Sequence, residues 1–314
     1  MGEHDLPAPA EEGNFGVDKR KAWLRATLAG LEDGVVVTDA TGCISFLNQA
    51  AQAMTGWTLN QVRGAPLSAQ LGVPNASGVS IGHVQLTVHD LDEHRKLWAL
   101  LGAKPARSGT LDLLRFPGIY VQLTRGETTQ GSEGSTVNHI GFLVKNVDEV
   151  HAKLNAAGLP TVQELTQPKR WVTMFPDKIK VEFTEDTSLT VPVAGHHLHL
   201  STTMAQMEPL RTWYVTHFGG LPETRRGFAS AVFNGGEINI MQSAAADAPT
   251  RGRALDHIGF EVQGLDAFCK TLEQAGVKFE EPIRDVPGTG IRAAFIEDPV
   301  GTRIELTEGL IRAR

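Results

Sequence analysis

Residues 255–309 read LDHIGFEVQGLDAFCKTLEQAGVKFEEPIRDVPGTGIRAAFIEDPVGTRIELTEG. DHIGFEV alternates apolar and polar residues, as a half-buried strand does. Leu265, Phe268, Cys269 and Leu272 then follow at the i, i+3, i+4, i+7 spacing of an amphipathic helix, and Gly276 supplies its stop. Two more strand-like runs come after it, IRAAFIE and, beyond the DPVGT turn, RIELTE, with a further short strand indicated at KFEEPI. The stretch is a β-α-β-β unit with His257 in its first strand and Glu305 in its last.

Working outward, the unit has three copies upstream. First-strand segments SIGHVQLTV, TVNHIGFLV, GHHLHLST and ALDHIGFEV place His83, His139, His197 and His257 in register, at intervals of 56, 58 and 60 residues. Last-strand segments IYVQLTR, IKVEFTE, EINIMQS and RIELTE place Gln122, Glu182, Asn239 and Glu305 in register. A helical stretch lies between the two in every copy, followed by Gly102, Gly158, Gly219 or Gly276. The fold class expected is therefore α+β: four repeated β-α-β-β modules, preceded by a segment of different pattern.

The composition is that of an ordinary globular chain, with 41% hydrophobic and 21% charged residues. The net charge of −7 and the absence of a basic run argue against nucleic acid or an anionic membrane surface as partner. No run approaches the roughly 18 apolar residues of a membrane span, and the first residues lack the apolar core of a secretory signal. Cys43 and Cys269 cannot build a disulfide framework and read as reduced thiols. A cytoplasmic protein is expected, and a homodimer stays open.

In chain order, residues 1–19 are rich in Pro, Gly and Glu and read as a disordered tail. Residues 20–76 differ from the repeats. DGVVVTDATGCISFLNQAAQAMTGWTLNQVRGAPL resembles the opening half of a PAS sensor domain in its order of hairpin, Asn and Gly-Trp turn. The second half is missing, because the first repeat has begun by Ser80. Two strands alone are marginal in water, so a remnant that docks on the repeats, dimerises or is poorly ordered is expected, without heme or flavin sensing. The connectors TTQGSEGST and AAADAPTRGR are similar in composition, and on that basis the modules are expected to pair along the chain, as domains 80–188 and 189–314.

A strand's two-residue period puts His197 and His199 on one face, as it does His257, Gly259 and Glu261, while His196 points away. Glu305 lies between Ile304 and Leu306, which face the other way, so its carboxylate needs a cation or a donor. Two facing modules would bring His197, His257 and Glu305 together with Asn239 opposite. The other pair would bring His83, His139 and Glu182 together with Gln122. Two His and one carboxylate with open positions suit ferrous iron, with Mn, Zn or Ni also accommodated. Glu261 is either on the cup face or bridged to Arg292 or solvent. Trp98, Trp213, Phe218 and Phe268 read as core, and His89, His94 and His151 as partnerless residues in or near helices.

The strand-start motifs and the DPVGTRIELTEG ending, over residues 80–310, resemble the vicinal oxygen chelate superfamily of glyoxalase I, extradiol dioxygenases and bleomycin-resistance proteins. The resemblance implies cups of paired βαβββ modules around a divalent metal that chelates adjacent oxygens of a small substrate. Extradiol dioxygenases use two His and one Glu, which the set His197, His257 and Glu305 resembles, although Phe295 stands where a Tyr is usual. His199 is the candidate acid–base residue and Asn239 a candidate substrate partner. Glyoxalase I supplies a carboxylate from the last strand of both modules, whereas here Gln122 and Asn239 replace one in each expected pair. A metal-dependent dioxygenase-like enzyme is the leading expectation; a glyoxalase-type lyase or isomerase, and a non-catalytic module that sequesters a small molecule, are the alternatives. A third alternative is a PAS-linked sensor with the cup as its output.

Overall fold

The structure is a computed structural model, and it describes residues 22–39, 44–55, 58–63, 74–159, 161–166, 169–189 and 191–313. The tail expected over 1–19 and Cys43 lie outside these residues. The N-terminal segment contributes helix α1 (22–29), strands β1 (Val36–Thr38) and β2 (Ile44–Leu47), and short helices α2 (Gln49–Thr55) and α3 (Leu59–Val62). Four modules follow, each a strand, a helix and three more strands. Module one is β3 (Val79–Val88), α4 (Leu91–Leu100), β4 (Lys104–Ser108), β5 (Leu111–Phe116) and β6 (Ile119–Arg125). Module two is β7 (Val137–Val144), α5 (Val147–Ala156), β8 (Thr161–Thr166), β9 (Lys169–Phe175) and β10 (Ile179–Glu185). Module three is β11 (Val193–Thr203), α6 (Met204–Phe218), β12 (Leu221–Arg225), β13 (Phe228–Phe233) and β14 (Gly236–Ser243). Module four is β15 (Leu255–Val262), α7 (Leu265–Gln274), β16 (Phe279–Val286), β17 (Ile291–Glu297) and β18 (Arg303–Glu308). The short strand indicated at KFEEPI is β16, the edge strand of module four.

Local chemistry sets the element boundaries. The Asp90 carboxylate accepts from the backbone N–H groups of Asp92 and Glu93 and starts α4, and the Asn146 side chain does the same for α5 through Glu149. Gly102, Gly158, Gly219 and Gly276 close the four helices with φ of 96°, 81°, 69° and 84°, a region that side-chain-bearing residues rarely adopt. Within β15, Ile258, Phe260 and Val262 face the core while His257, Gly259 and Glu261 face the other side.

The modules do not pair along the chain. One eight-stranded sheet has the order β16-β17-β18-β15-β3-β6-β5-β4 and so joins module four to module one. The other has the order β12-β13-β14-β11-β7-β10-β9-β8 and joins module three to module two. The expected division into 80–188 and 189–314 is thereby corrected. In each sheet the two first strands meet antiparallel at the centre, β15 against β3 and β11 against β7. Connector geometry explains the outcome. The short connector between β10 and β11 keeps modules two and three in one sheet, while the two longer, similar connectors cross between sheets side by side. They are joined by the Ser135–Ala248 bridge and by Arg253, whose guanidinium donates to the carbonyls of Gly131 and Glu133 at 3.0 and 2.7 Å.

Modules one and two, and modules three and four, instead meet through their apolar faces. Trp98 of α4, fully buried, packs 4.7 Å from Phe175 and 5.7 Å from Phe142 of the opposite sheet. Phe218 of α6 packs 4.5 Å from Phe260 of module four. Trp213 and Phe268 lie partly buried against the same core, in keeping with the sequence reading. The helix histidines do have partners: His89 and His94 both meet Asp177, and His151 stacks on Trp171 with its Nε2 2.8 Å from the Thr161 hydroxyl.

The N-terminal segment is tied together by Asn48. Its Oδ1 accepts from the N–H groups of Val35 and Ala51, both at 2.8 Å, and its amide nitrogen reaches the carbonyls of Leu28, Leu31 and Asp33. The segment docks on the one–four sheet: Ile44, Leu47, Ala51 and Val62 share an apolar cluster with Leu113, Tyr120, Ile291 and Leu310. Two strands with too little core of their own borrow one from the repeats.

Candidate metal centres

Each cup gathers its polar side chains at the central pair of first strands. In the one–four cup, His83, His257 and Glu305 converge: the Glu305 Oε2 lies 2.9 Å from His83 Nε2 and 3.2 Å from His257 Nε2. In the two–three cup, His139, Glu182, His197 and His199 converge. There His139 Nε2 lies 3.4 Å from Glu182, 3.4 Å from His197 Nε2 and 3.0 Å from His199 Nδ1, and His197 Nε2 lies 3.8 Å from Glu182. All seven residues are buried. The seven positions singled out in the sequence, His199 included, thus fall into two clusters with a different grouping from the one expected. His197 sits with His139 and Glu182, and His83 sits with His257 and Glu305, because the sheets exchange modules.

Two backbone devices place these rings. The first is a β-bulge in every first strand, at Gly82, Asn138, His196 and Asp256, each immediately before the converging His. In three of the four, the bulged side chain holds Nδ1 of the next residue: Asn138 to His139 at 2.9 Å, His196 to His197 at 2.8 Å, and Asp256 to His257 at 2.8 Å. An Nδ1–H donated to Asn138 or Asp256 leaves the Nε2 lone pair directed at the cluster. The bulge also corrects the expectation that His196 points away, since it stands beside His197 with Arg226 and Glu237. The second device is glycine. A Cβ on Gly259 would stand 2.0 Å from His83 Cε1, and one on Gly141 would stand 2.0 Å from His197 Cε1. The Gly of each HIGF motif is the space its partner strand's imidazole fills.

Sequence reasoning missed Asn138, Asp256 and these glycines as site residues. The dipeptides Asn-His and Asp-His, with Gly two residues on, are the signal that marks them. Arg303 extends the chain of contacts, donating to Asp256 at 3.0 Å while its guanidinium lies 4.0 Å from the centre of the Phe295 ring. Asn239 stands in register with His199 on the neighbouring strand, accepting from the Ser230 hydroxyl at 2.6 Å and donating to Glu237 at 2.9 Å. Glu261 accepts from Thr307 Oγ1 and the N–H groups of Gly309 and Leu310, not from Arg292, and burial pushes its carboxyl up to about 7.

Electrostatics fit a cation in both places. Burial lowers the pKa of His83, His139 and His197, and lowers that of His199 to about 3, so these imidazoles are neutral with free lone pairs. Burial alone would also lower His257, but the carboxylates of Asp256 and Glu305 on its two sides raise it. Glu305, although buried, is held well below the usual carboxylate range by His257 and His83. Glu182 is likewise held at about 2, burial being outweighed by His139, Arg170 and Thr184. His83 Nε2 lies 2.9 Å from Glu305 Oε2 without hydrogen-bond geometry, and among the described residues both of its ring nitrogens are buried without a hydrogen-bond partner. A divalent ion fits the donor set of either cluster.

A cavity of about 300 Å³ opens on the one–four cluster, lined by Gln85, Gln122, His257, Arg284, Phe295 and Glu305 among others. Its outer wall includes Leu111, Val286, Ile291 and Leu310, against which the N-terminal segment packs.

Residues 196–306 match the model of the Glyoxalase/Bleomycin resistance protein/Dioxygenase superfamily, and residues 23–79 match the PAS fold. The four-module body has the glyoxalase-superfamily fold. Glyoxalase I from Zea mays superimposes with a TM-score of 0.57 at 14% identity, covering 74% of this chain and 93% of that one. A putative dioxygenase from Bacillus subtilis superimposes with a TM-score of 0.55 at 16% identity, covering 73% of this chain and 84% of that one. No curated protein matches the sequence. The superfamily match spans modules three and four, which lie in different sheets here, so a match along the chain does not reveal which modules share a cup. Among the described residues no helix is long and apolar enough to cross a membrane.

Proposed function

We propose that this glyoxalase-superfamily chain is a metal-dependent enzyme acting on a small substrate with adjacent oxygens, in the manner of an extradiol-type dioxygenase. His83, His257 and Glu305 hold the metal, with Fe(II) favoured. The observation that carries the reading is the convergence of His83, His257 and Glu305, of which His257 and Glu305 line a cavity of about 300 Å³. Three ligands leave coordination positions open, as catalytic sites require, and the cavity is at the small end for ligand pockets. The ion supplies Lewis acidity toward two adjacent oxygens and, when ferrous, reducing power toward dioxygen.

The chain's own residues do the rest. Asp256, itself held by Arg303, fixes the His257 tautomer. Gln85 and Gln122 present amides to the cavity, and Phe295 closes one side against His257. His199, the acid–base candidate of the sequence reading, belongs to the other cup, so no acid–base role in this cavity is assigned to it. Asn239 likewise has no role here. A glyoxalase-type reaction is the second reading. Gln122 lines the cavity from the last strand of module one, where glyoxalase I supplies a carboxylate; its amide could bind an oxygen but would not take the proton, which weakens this reading.

The test is anaerobic reconstitution of the full chain with Fe(II), Mn(II), Ni(II) or Zn(II), followed by a panel of catechols and hemithioacetals. Ring cleavage that requires Fe(II) and is lost in His257→Ala supports the first reading; hemithioacetal turnover supports the second. Protein that retains no metal, with His257→Ala binding catechol as tightly as wild type, would leave a sequestering module instead.

A further inference from the structure

The residue two places beyond each first-strand histidine lies on the same face of its strand, and the four copies differ there. After His139 and His257 comes glycine, Gly141 or Gly259, and the gap admits the partner strand's imidazole. After His83 and His197 comes a polar head, Gln85 or His199. His199 joins its cluster. Gln85 instead stands in register with His257 on one side and Gln122 on the other, and all three line the one–four cavity. Gln85 is 5% exposed. Its amide nitrogen donates to the Leu86 carbonyl at 3.1 Å, and because a carbonyl only accepts, the end of the carboxamide left over is the oxygen. That Oε1 is buried and, among the described residues, has no hydrogen-bond partner. An unmet buried acceptor is destabilising, and the cavity that Gln85 lines is where a donor can come from.

We propose that Gln85 selects the substrate of the one–four cavity: its Oε1 accepts a hydrogen bond from a third polar group of the substrate, a hydroxyl or N–H borne beside the two chelating oxygens. The inference rests on the reading of this cavity as the site of a chelating substrate. It narrows that class from diols and hydroxycarbonyls in general to those with a further donor on the same edge. The rest of the lining agrees. The next residues on this face of β3 and β6 are Thr87 and Thr124, in register with each other and also at the cavity wall. The polar strip thus continues past Gln85 and Gln122, while Leu111, Val286, Ile291 and Leu310 make the outer wall apolar. A molecule with one polar and one apolar edge matches both. A plain catechol leaves Oε1 unmet, and a third group that only accepts, such as an ether oxygen, sets lone pair against lone pair. A site built to meet a donor rejects the analogue that lacks it, because the protein's own polar group is then left unpaired.

The experiment reads binding rather than turnover. The full chain, loaded with redox-inert Zn(II), is titrated by calorimetry under anaerobic conditions with five compounds. These are catechol, pyrogallol and hydroxyquinol, which add a third hydroxyl at either ring position, and 3-methoxycatechol and 4-methoxycatechol, in which that oxygen is methylated. One of the two trihydroxybenzenes is expected to bind roughly 5–10-fold tighter than catechol, the net worth of one hydrogen bond, and its methoxy counterpart no tighter than catechol. In Gln85→Leu the affinity ratio of that trihydroxybenzene to catechol should fall to about one. Should this variant fail to fold, Gln85→Met, of similar length, takes its place, and the wild-type comparison stands without either. Wild type that binds catechol but treats hydroxyl and methoxy alike overturns this inference and leaves the proposed function in place. A ratio in Gln85→Leu unchanged from wild type does the same. Failure of the loaded chain to bind any of the five overturns both.

Discussion

Replacing Gly259 with Ala tests the module pairing and the metal site in one step. Its Cβ would stand 2.0 Å from His83 Cε1, and ordinary contact begins at 3.4 Å, so the imidazole must retreat by about 1.4 Å. Metal–ligand distances tolerate about 0.2 Å. The His83 nitrogen therefore leaves the shared point, while the two–three cup is untouched. Crowding a close-packed strand pair also costs about 1–3 kcal/mol. The assay is metal content per chain by elemental analysis beside a thermal melt. Gly259→Ala should fall from two metals to one and melt a few degrees lower. Combined with Glu305→Ala it should lose no further metal; combined with His197→Ala it should lose both. Gly141→Ala should give the mirror image, losing the metal of the other cup, because its Cβ would meet His197 at 2.0 Å. Wild-type metal content and melting in Gly259→Ala would refute the cross-strand placement. So would loss of the His197 cup's metal, which the chain-order pairing requires.

Further outcomes follow from the same geometry. Asp256→Asn, which weakens the hold on His257 Nδ1, should reduce metal affinity at the one–four cup by about 10–100-fold with little change at the other, read by competition with a chelator. Metal affinity at the one–four cup should fall as pH drops through the raised His257 pKa, since the ion must displace that proton; an affinity flat between pH 8 and 5 would contradict the assignment. Asp298 is fully buried, accepts from Tyr214 at 2.9 Å, and burial lifts its carboxyl to about 6. A folded pKa above the unfolded value means its contribution is fully present below pH ~4 and lost as pH rises through about 6, about 3 kcal/mol in all. Asp298→Asn should remove that slope, and an unchanged difference between denaturant midpoints at pH 4 and 7 would count against it. Deleting residues 1–76 should uncover Leu113, Ile291 and Leu310, raising apolar-dye binding and lowering the melting temperature.

The sequence by itself determined the modules and the ligands. A period near 58 residues, strand alternation and the glycines after each helix are local signals, and they fix which side chains face inward. The imidazoles and carboxylates of both clusters were legible for the same reason: His83, His139, His197, His257, Glu182 and Glu305 occupy equivalent strand positions. Tertiary structure decided which of them meet. Any two first strands could pair, because all four carry the same alternation and the same turn chemistry. The choice came from connector length and from apolar packing such as Trp98 against Phe142 and Phe175, contacts between residues far apart in sequence. The bulges at Asn138, His196 and Asp256 escaped for a related reason. A bulge is defined by the partner strand's register, and a strand's own alternation does not contain it.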